Sequence, residues 1–198
     1  HSLQSGEWRG FRGRSPFLLS NKTVGLVGFG AIGRKVAELL RPFNCTIVYN
    51  KPNRLEPEDE SLLGVSYVNF QTLLERCDVI SLHCPYTEHT AGLFNEDALR
   101  SMRSTAVLIN MARGGIVVED DLAWALRNDI IQAAAADVFE TEPLPPGNAL
   151  QGLDNMTLTP HLGAMCADTF EPNVQRMFYN IECVSRGEPV PELDRVLG

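Results

Sequence analysis

A glycine-rich turn, GFGAIG at Gly28–Gly33, constrains the fold more than any other feature of this sequence. An apolar run, KTVGLVG, leads into it, and residues 31–40 then carry apolar side chains at helical spacing. Strand, turn and helix in this order are typical of a dinucleotide-binding unit. We expect Gly28 to allow the tight turn, Gly30 to let the backbone approach a pyrophosphate, and Gly33 to let the helix pack closely on the strand.

The rest of the chain repeats this alternation of strands and helices. Five further apolar runs predict strands that are covered on both faces, at residues 45–50, 78–84, 104–111, 130–138 and 156–160. Helices are predicted at residues 31–40, 95–102, 119–127 and 168–186, the second opening on a capping Asn95 and the third on acidic residues. Six strands in this arrangement predict an α/β fold of the doubly wound Rossmann type, with a parallel sheet and helices on both faces.

Length and composition limit the organisation and the partners. The 198 residues, 44% of them hydrophobic, suffice for one sizeable domain. We predict a connector at residues 1–20, a dinucleotide-binding domain at 21–165, and a C-terminal helix and tail at 166–198. The net charge of −8 argues against nucleic acid as a partner. No apolar run approaches the roughly 20 residues that span a membrane, so we expect a cytoplasmic protein.

The five cysteines predict reduced thiols rather than a structural framework. They are odd in number and widely spaced, and they form no CxxC pair. Neither disulfides nor a zinc site is therefore expected, and no metal ligands are assigned.

The end of the second predicted strand bears on the choice of cofactor. An acidic residue at this position usually binds the adenosine ribose hydroxyls, but this chain has Asn50. A neutral side chain removes the carboxylate that would repel a 2′-phosphate, and Lys51 and Arg54 follow closely enough to attract one. The alternative is that both cations are solvated loop residues. The pattern allows NAD or NADP and slightly favours NADP.

Three strings downstream of the turn carry the residues of a candidate reaction. Arg113 lies in INMARGG, Glu142 in DVFETEP and His161 in TPHLG. A guanidinium binds a carboxylate through two hydrogen bonds, and an imidazole can donate and accept a proton near neutral pH. Together with a carboxylate, these groups are suited to polarising and protonating a carbonyl beside a redox cofactor.

With these strings, the chain resembles the cofactor-binding domain of the D-isomer-specific 2-hydroxyacid dehydrogenases. The resemblance rests on the turn, on the three strings and on SLHCPYTEHTAGLFN at residues 81–95. It implies that Arg113 holds the substrate carboxylate, that His161 is the acid or base at the C2 oxygen, and that Glu142 hydrogen-bonds the imidazole. It also implies a set of cofactor-binding residues: Gly28, Gly30, Ala31, Ile32, Gly33, Asn50, Lys51, Arg54, His83, Cys84, Pro85, Thr90, Met111, Ala112, Arg113, Asp137, His161 and Gly163.

Several of these residues also have structural alternatives. Arg113 could be only an ion-pair partner in its loop, Glu142 could be an ordinary exposed carboxylate, and His161 could cap a loop. His83 ends an apolar strand, where a histidine is often a satisfied, partly buried residue rather than a ligand. Asp137 could serve only as a cap of a helix or loop.

The resemblance further implies an activity and an assembly. Relatives interconvert 2-keto and 2-hydroxy acids with NAD(P), pair as homodimers through this domain, and bind substrate against a second lobe. HSLQSGEW at residues 1–8 resembles the end of their interdomain helix, so we expect a fragment that binds cofactor but turns over little substrate. A dinucleotide-sensing, corepressor-like interaction protein is the alternative. A methyltransferase would leave the three strings unexplained.

Overall fold

The computed structural model describes residues 17–166 and 168–195, and within them seven parallel strands form one sheet. The strand order is β3-β2-β1-β4-β5-β6-β7. The strands are β1 (Thr23–Val27), β2 (Thr46–Asn50), β3 (Val65–Tyr67), β4 (Val79–Leu82), β5 (Val107–Asn110), β6 (Ala133–Ala136) and β7 (Met156–Leu158). The chain winds outward in one direction from β1 and in the other from β4. The topological switch point, where such sheets bind ligands, therefore lies between these two strands.

Helices cover the sheet from both sides, as the sequence predicts. They are α1 (Ala31–Leu40), α2 (Pro57–Leu63), α3 (Phe70–Arg76), α4 (Glu96–Ser101) and α5 (Glu119–Arg127). A sixth helix, α6 (Phe170–Ser185), comes later in the chain. One buried cluster joins Ala37 of α1 to Tyr49 of β2. The other buried cluster joins α3, α4 and α5 to the opposite face of the sheet, the face on which Val48 of β2 lies. The doubly wound α/β fold is confirmed, and the core lies in two layers separated by the sheet.

The expected count of six strands is wrong, because residues 51–77 form elements that the sequence pattern did not reveal. The additional strand, β3, has only three residues and pairs with Ile47, Val48 and Tyr49 of β2. The preceding helix begins with the polar residues PEDE, which carry no apolar periodicity. Pairing and packing with the rest of the domain, rather than local pattern, stabilise these short elements.

The described chain divides into two compact units, the first ending at Pro160 and the second beginning at His161. In the second unit, α6 is followed by Gly187 in a left-handed conformation. Arg176 of α6 forms two hydrogen bonds with Asp194, at 2.7 and 2.8 Å. The packing of this helix against a further lobe stays a prediction. Most of the connector predicted at residues 1–20, namely residues 1–16, lies outside the described residues.

Part of one sheet face in the first unit is apolar and only half covered. Val107 and Ile109 of β5 are half-buried on this face, whereas Leu108, which points to the opposite face, is buried. An apolar cavity of about 250 Å³ lies here, lined by Val107 and Ile109 together with Phe17 and Leu19. None of the helices in the described parts of the chain is both long enough and apolar enough to cross a membrane.

Candidate active site

The glycine turn follows β1 directly and lies against the segment that follows β4. Gly28 has φ +88°, in the left-handed region, and a Cβ added there would lie 2.4 Å from the backbone nitrogen of Cys84. A Cβ added to Gly33 would lie 2.7 Å from the carbonyl oxygen of Gly28. Both positions therefore require glycine, the first for the turn and the second for the close packing of α1.

Protein packing does not require a glycine at position 30, in contrast to positions 28 and 33. This contrast points to a ligand. A Cβ added to Gly30 would meet no atom within 4 Å. Gly30 is the N-cap residue of α1, and it makes no side-chain capping hydrogen bond. The first turn of the helix contains no acidic residue. Ala31 and Ile32 are exposed residues at the start of this helix. The first N–H groups of a helix have no partner within it, and the helix dipole favours an anion at this end. The open space and the donors together fit the pyrophosphate of a dinucleotide.

The segment after β4 lies on the other side of the switch point. The backbone nitrogen of His83 donates to the carbonyl oxygen of Val27 at 2.7 Å, which fixes it beside β1. Burial lowers the pKa of His83 below its usual value of 6.5, so the imidazole is neutral at pH 7. Its Nε2 lies 3.0 Å from the hydroxyl of Ser81, a contact that favours the structural alternative for this histidine.

The neighbouring residues of this segment are held by their own loop. Burial raises the pKa of the Cys84 thiol, which stays protonated at neutral pH. The hydroxyl of Thr90 donates to the carbonyl oxygen of Pro85 at 2.7 Å and accepts from the backbone nitrogen of Thr87 at 2.8 Å. Thr90 therefore orders the turn between Pro85 and itself, and contact with a cofactor stays a prediction.

A buried asparagine at the end of β5 holds the loop that carries Arg113. Asn110 is 3% exposed, and its amide nitrogen donates to the carbonyl oxygen of Arg113 at 3.0 Å. Its amide oxygen accepts from the backbone nitrogen of Ala112 at 3.1 Å. Asn110 is not among the residues predicted from the sequence, although a polar residue at the end of an apolar strand is a usable signal. These bonds fix Met111, Ala112 and Arg113 at the carboxyl edge of the sheet.

The loops that follow β5 and β6 touch through their backbones. A Cβ added to Gly114 would lie 1.9 Å from the carbonyl carbon of Phe139. In the second of these loops, the backbone nitrogen of Phe139 donates to Glu142 Oε1 at 2.9 Å. Asp137 is buried and accepts a hydrogen bond from the hydroxyl of Thr159. Arg113 and Glu142 therefore lie on two loops that contact each other directly.

A cavity of about 630 Å³ opens beside Arg113. Its lining includes Tyr86, Val118, Phe139 and Glu140. The guanidinium of Arg113 donates to the carbonyl oxygen of Ala112 at 2.6 Å, which uses one of its five donors and leaves others for a ligand. Tyr86 is a second lining residue that sequence analysis did not single out. The cavity combines a fixed cation and the acidic residue Glu140 with aromatic and apolar walls.

The remaining predicted residues lie at two other places. Asn50 ends β2 beside the turn, since its carbonyl oxygen accepts from the backbone nitrogen of Gly28 at 2.8 Å. Lys51 and Arg54 follow in the connection to α2. His161 and Gly163 belong to the second unit, where His161 has φ +53°. The expected hydrogen bond between Glu142 and His161 stays a prediction.

Comparison with known proteins confirms the resemblance. The chain is 36% identical over 196 residues to the glyoxylate reductase of Thermofilum pendens, a match that covers 96% of this chain and 57% of that protein. The formate dehydrogenase of Granulicella m. superposes with a TM-score of 0.88 at 29% identity, covering 96% of this chain and 51% of that one. The apo form of the D-mandelate dehydrogenase of Rhodotorula graminis superposes with a TM-score of 0.86 at 27% identity, covering 96% of this chain and 57% of that one.

The chain thus spans little more than half the length of these relatives. Their names refer to three different substrates, so their common feature is the fold and the family rather than one substrate. Residues 1–163 match the family described as "D-isomer specific 2-hydroxyacid dehydrogenase, NAD binding domain". The chain therefore belongs to the D-isomer specific 2-hydroxyacid dehydrogenases and contains their NAD-binding domain.

Proposed function

We propose that this chain binds NAD or NADP and forms the cofactor domain of an oxidoreductase that interconverts a 2-keto acid and a D-2-hydroxy acid. The observation that carries the proposal is the open position at Gly30. It lies at an uncapped helix N-terminus beside the switch point, whereas the neighbouring Gly28 and Gly33 are closely packed. Space and free N–H donors at this place are what a pyrophosphate requires.

We assign the following roles to the residues that the sequence predicts to be catalytic. The bound nicotinamide supplies the hydride. Arg113 binds the carboxylate of the keto acid and draws electron density toward its ketone oxygen. His161 donates a proton to the C2 oxygen during reduction, and Glu142 orients the imidazole. The imidazolium form of a histidine is the form that donates a proton in this direction.

The substrate is proposed only as a class, a small 2-keto or 2-hydroxy acid. We propose little turnover by this polypeptide alone, because a cleft enzyme of this kind excludes water only when two lobes close over the substrate. We also propose that the protein acts in the cytoplasm. Cofactor preference is proposed to favour NADP slightly, because Asn50 provides no carboxylate and Lys51 lies next to it.

The test is a Gly30→Ala variant, with Ser104→Thr as the matched control. Both changes add one methyl group at an exposed position, but Ser104 precedes β5 at the opposite edge of the sheet. Titration calorimetry with NADH and NADPH should give about tenfold weaker binding for Gly30→Ala, because the methyl group enters the pyrophosphate space. The melting temperature should not change, since the methyl group meets no protein atom. Equal affinities for Gly30→Ala and the parent chain would contradict the proposal.

We further propose a homodimer formed through this domain. Support comes from the half-covered apolar face at Val107 and Ile109, which is the kind of surface that homodimers bury. Sedimentation equilibrium should show a dimer whose dissociation constant rises at least tenfold in Ile109→Lys. The control is Leu62→Lys, which places the same charge at an exposed apolar position on α2. A monomeric parent chain would rule the proposal out.

A further inference from the structure

We infer that Glu60 of α2 restrains Arg54 and thereby limits the preference for NADP, leaving Lys51 as the cation that distinguishes NADP from NAD. This inference rests on the proposed binding of a nicotinamide dinucleotide. It differs from the expectation drawn from the sequence, in which both Lys51 and Arg54 can attract the 2′-phosphate.

The restraint is a hydrogen-bonded ion pair with two contacts. Arg54 Nε donates to Glu60 Oε1 at 2.9 Å, and Arg54 Nη2 donates to Glu60 Oε2 at 2.8 Å. The backbone and side chain of Glu60 together are only 7% exposed, so its carboxylate cannot move into solvent with the arginine. A paired guanidinium of this geometry is strongly oriented. Arg54 therefore approaches a cofactor only together with the negative charge of Glu60.

Glu60 is itself fixed to the glycine turn through buried aromatic residues. The hydroxyl of Tyr49 donates to Glu60 Oε1 at 2.7 Å and accepts from the backbone nitrogen of Leu55 at 2.8 Å. Tyr49 is fully buried, and its ring centroid lies 4.5 Å from that of Phe29, inside the GFGAIG turn. The position of the carboxylate relative to the candidate pyrophosphate site is consequently set by the core.

The charges then decide between the two cations. Arg54 keeps the pKa of Glu60 at about 2, so the carboxylate is ionised at neutral pH. A 2′-phosphate near Arg54 would meet a pair with no net charge, and the repulsion from Glu60 offsets much of the attraction. Lys51 makes no salt bridge with any residue between 17 and 195 that the structure describes, and its full charge remains available. The amide of Asn50 donates to the carbonyl oxygen of Val68 at 2.9 Å and adds no charge.

The test compares NADPH and NADH affinities of the full 198-residue chain by titration calorimetry. In Glu60→Gln the arginine is released while the shape and the acceptor for Tyr49 are kept. We expect the ratio of NADPH to NADH affinity to rise about fivefold, since a freed guanidinium gains a charge-assisted hydrogen bond to phosphate. Lys51→Met should lower the ratio about fivefold. Arg54→Gln should lower it as well, because it leaves the negative charge of Glu60 without its partner.

The double variant Glu60→Gln/Arg54→Gln is the matched control, because it also breaks the ion pair but leaves no charge and frees no cation. In the double variant Glu60→Gln/Arg54→Gln the gain should disappear. A fall in the ratio in Glu60→Gln would overturn the inference, because it would show that Glu60 positions Arg54 for the phosphate. An unchanged ratio would overturn it as well. Failure of the parent chain to bind either dinucleotide would instead refute the proposed function.

Discussion

The stability of the domain should depend on pH through Glu60, and the structure gives the size of the effect. The pKa of this carboxyl group is lowered from its ordinary value of 4.5 to about 2, chiefly by the hydrogen bonds from Arg54. A depression of this size corresponds to about 3 kcal/mol of folding free energy. The Arg54 side chain is 58% exposed, and water screens that side of the pair, so we expect about 2 kcal/mol.

The sign follows from the direction of the shift. Because the folded chain holds this proton less tightly than the unfolded chain, the stabilisation is fully present above about pH 4.5. It is lost as the pH falls from that value through about 2, and both states are protonated only below that pH. Glu60→Gln removes the ionisable group and with it this part of the pH dependence.

Urea denaturation of the parent and of Glu60→Gln at a series of pH values tests this reasoning. The variant should be about 2 kcal/mol less stable at pH 7, and the difference should shrink toward zero near pH 2. The control is Glu58→Gln, which removes an exposed carboxylate from the same helix and should change stability by less than about 0.5 kcal/mol. A difference between parent and Glu60→Gln that stays constant with pH would refute the argument.

Three further substitutions test the packing. Gly28→Ala should cost more than about 2 kcal/mol, seen as a lower melting temperature, because it strains a left-handed residue and pushes a methyl group into the backbone of Cys84. Asn95→Ala should cost about 1 kcal/mol in urea denaturation, because the side chain caps α4 by accepting from Ala98 N. Leu99→Ala should cost about 2–5 kcal/mol by the same measurement, because Leu99 is fully buried; a loss below about 1 kcal/mol would contradict its place in the core.

The sequence predicts best those elements whose signals are local. The helix at Glu119–Arg127 has the predicted bounds, with acidic residues in its first turn and an arginine in its last. Asn95 caps α4 as expected from its position before an acidic turn. In contrast, β3 exists because Val65 pairs with Ile47 from a distant part of the chain, and no three-residue pattern could indicate that pairing.

The same distinction applies to the candidate site. The roles of Gly28 and Gly33 could be predicted, because the spacing of the turn determines its geometry. The pairing of Arg54 with Glu60 could not, because Glu60 lies in a polar run that resembles a solvated helix face and is buried only by the fold. Asn110 is an intermediate case, since its position was visible but its two backbone partners were not.

The contact at Gly114 has a practical consequence for anyone who would re-engineer this domain. No side chain fits between the backbones of Gly114 and Phe139, so a change in the path of one loop meets the backbone of the other. The loop that carries Glu142 therefore cannot be exchanged for a longer or differently shaped loop from a relative on its own. Such a graft would displace Arg113 even if every functional side chain were retained, so the two loops must be transplanted as one part.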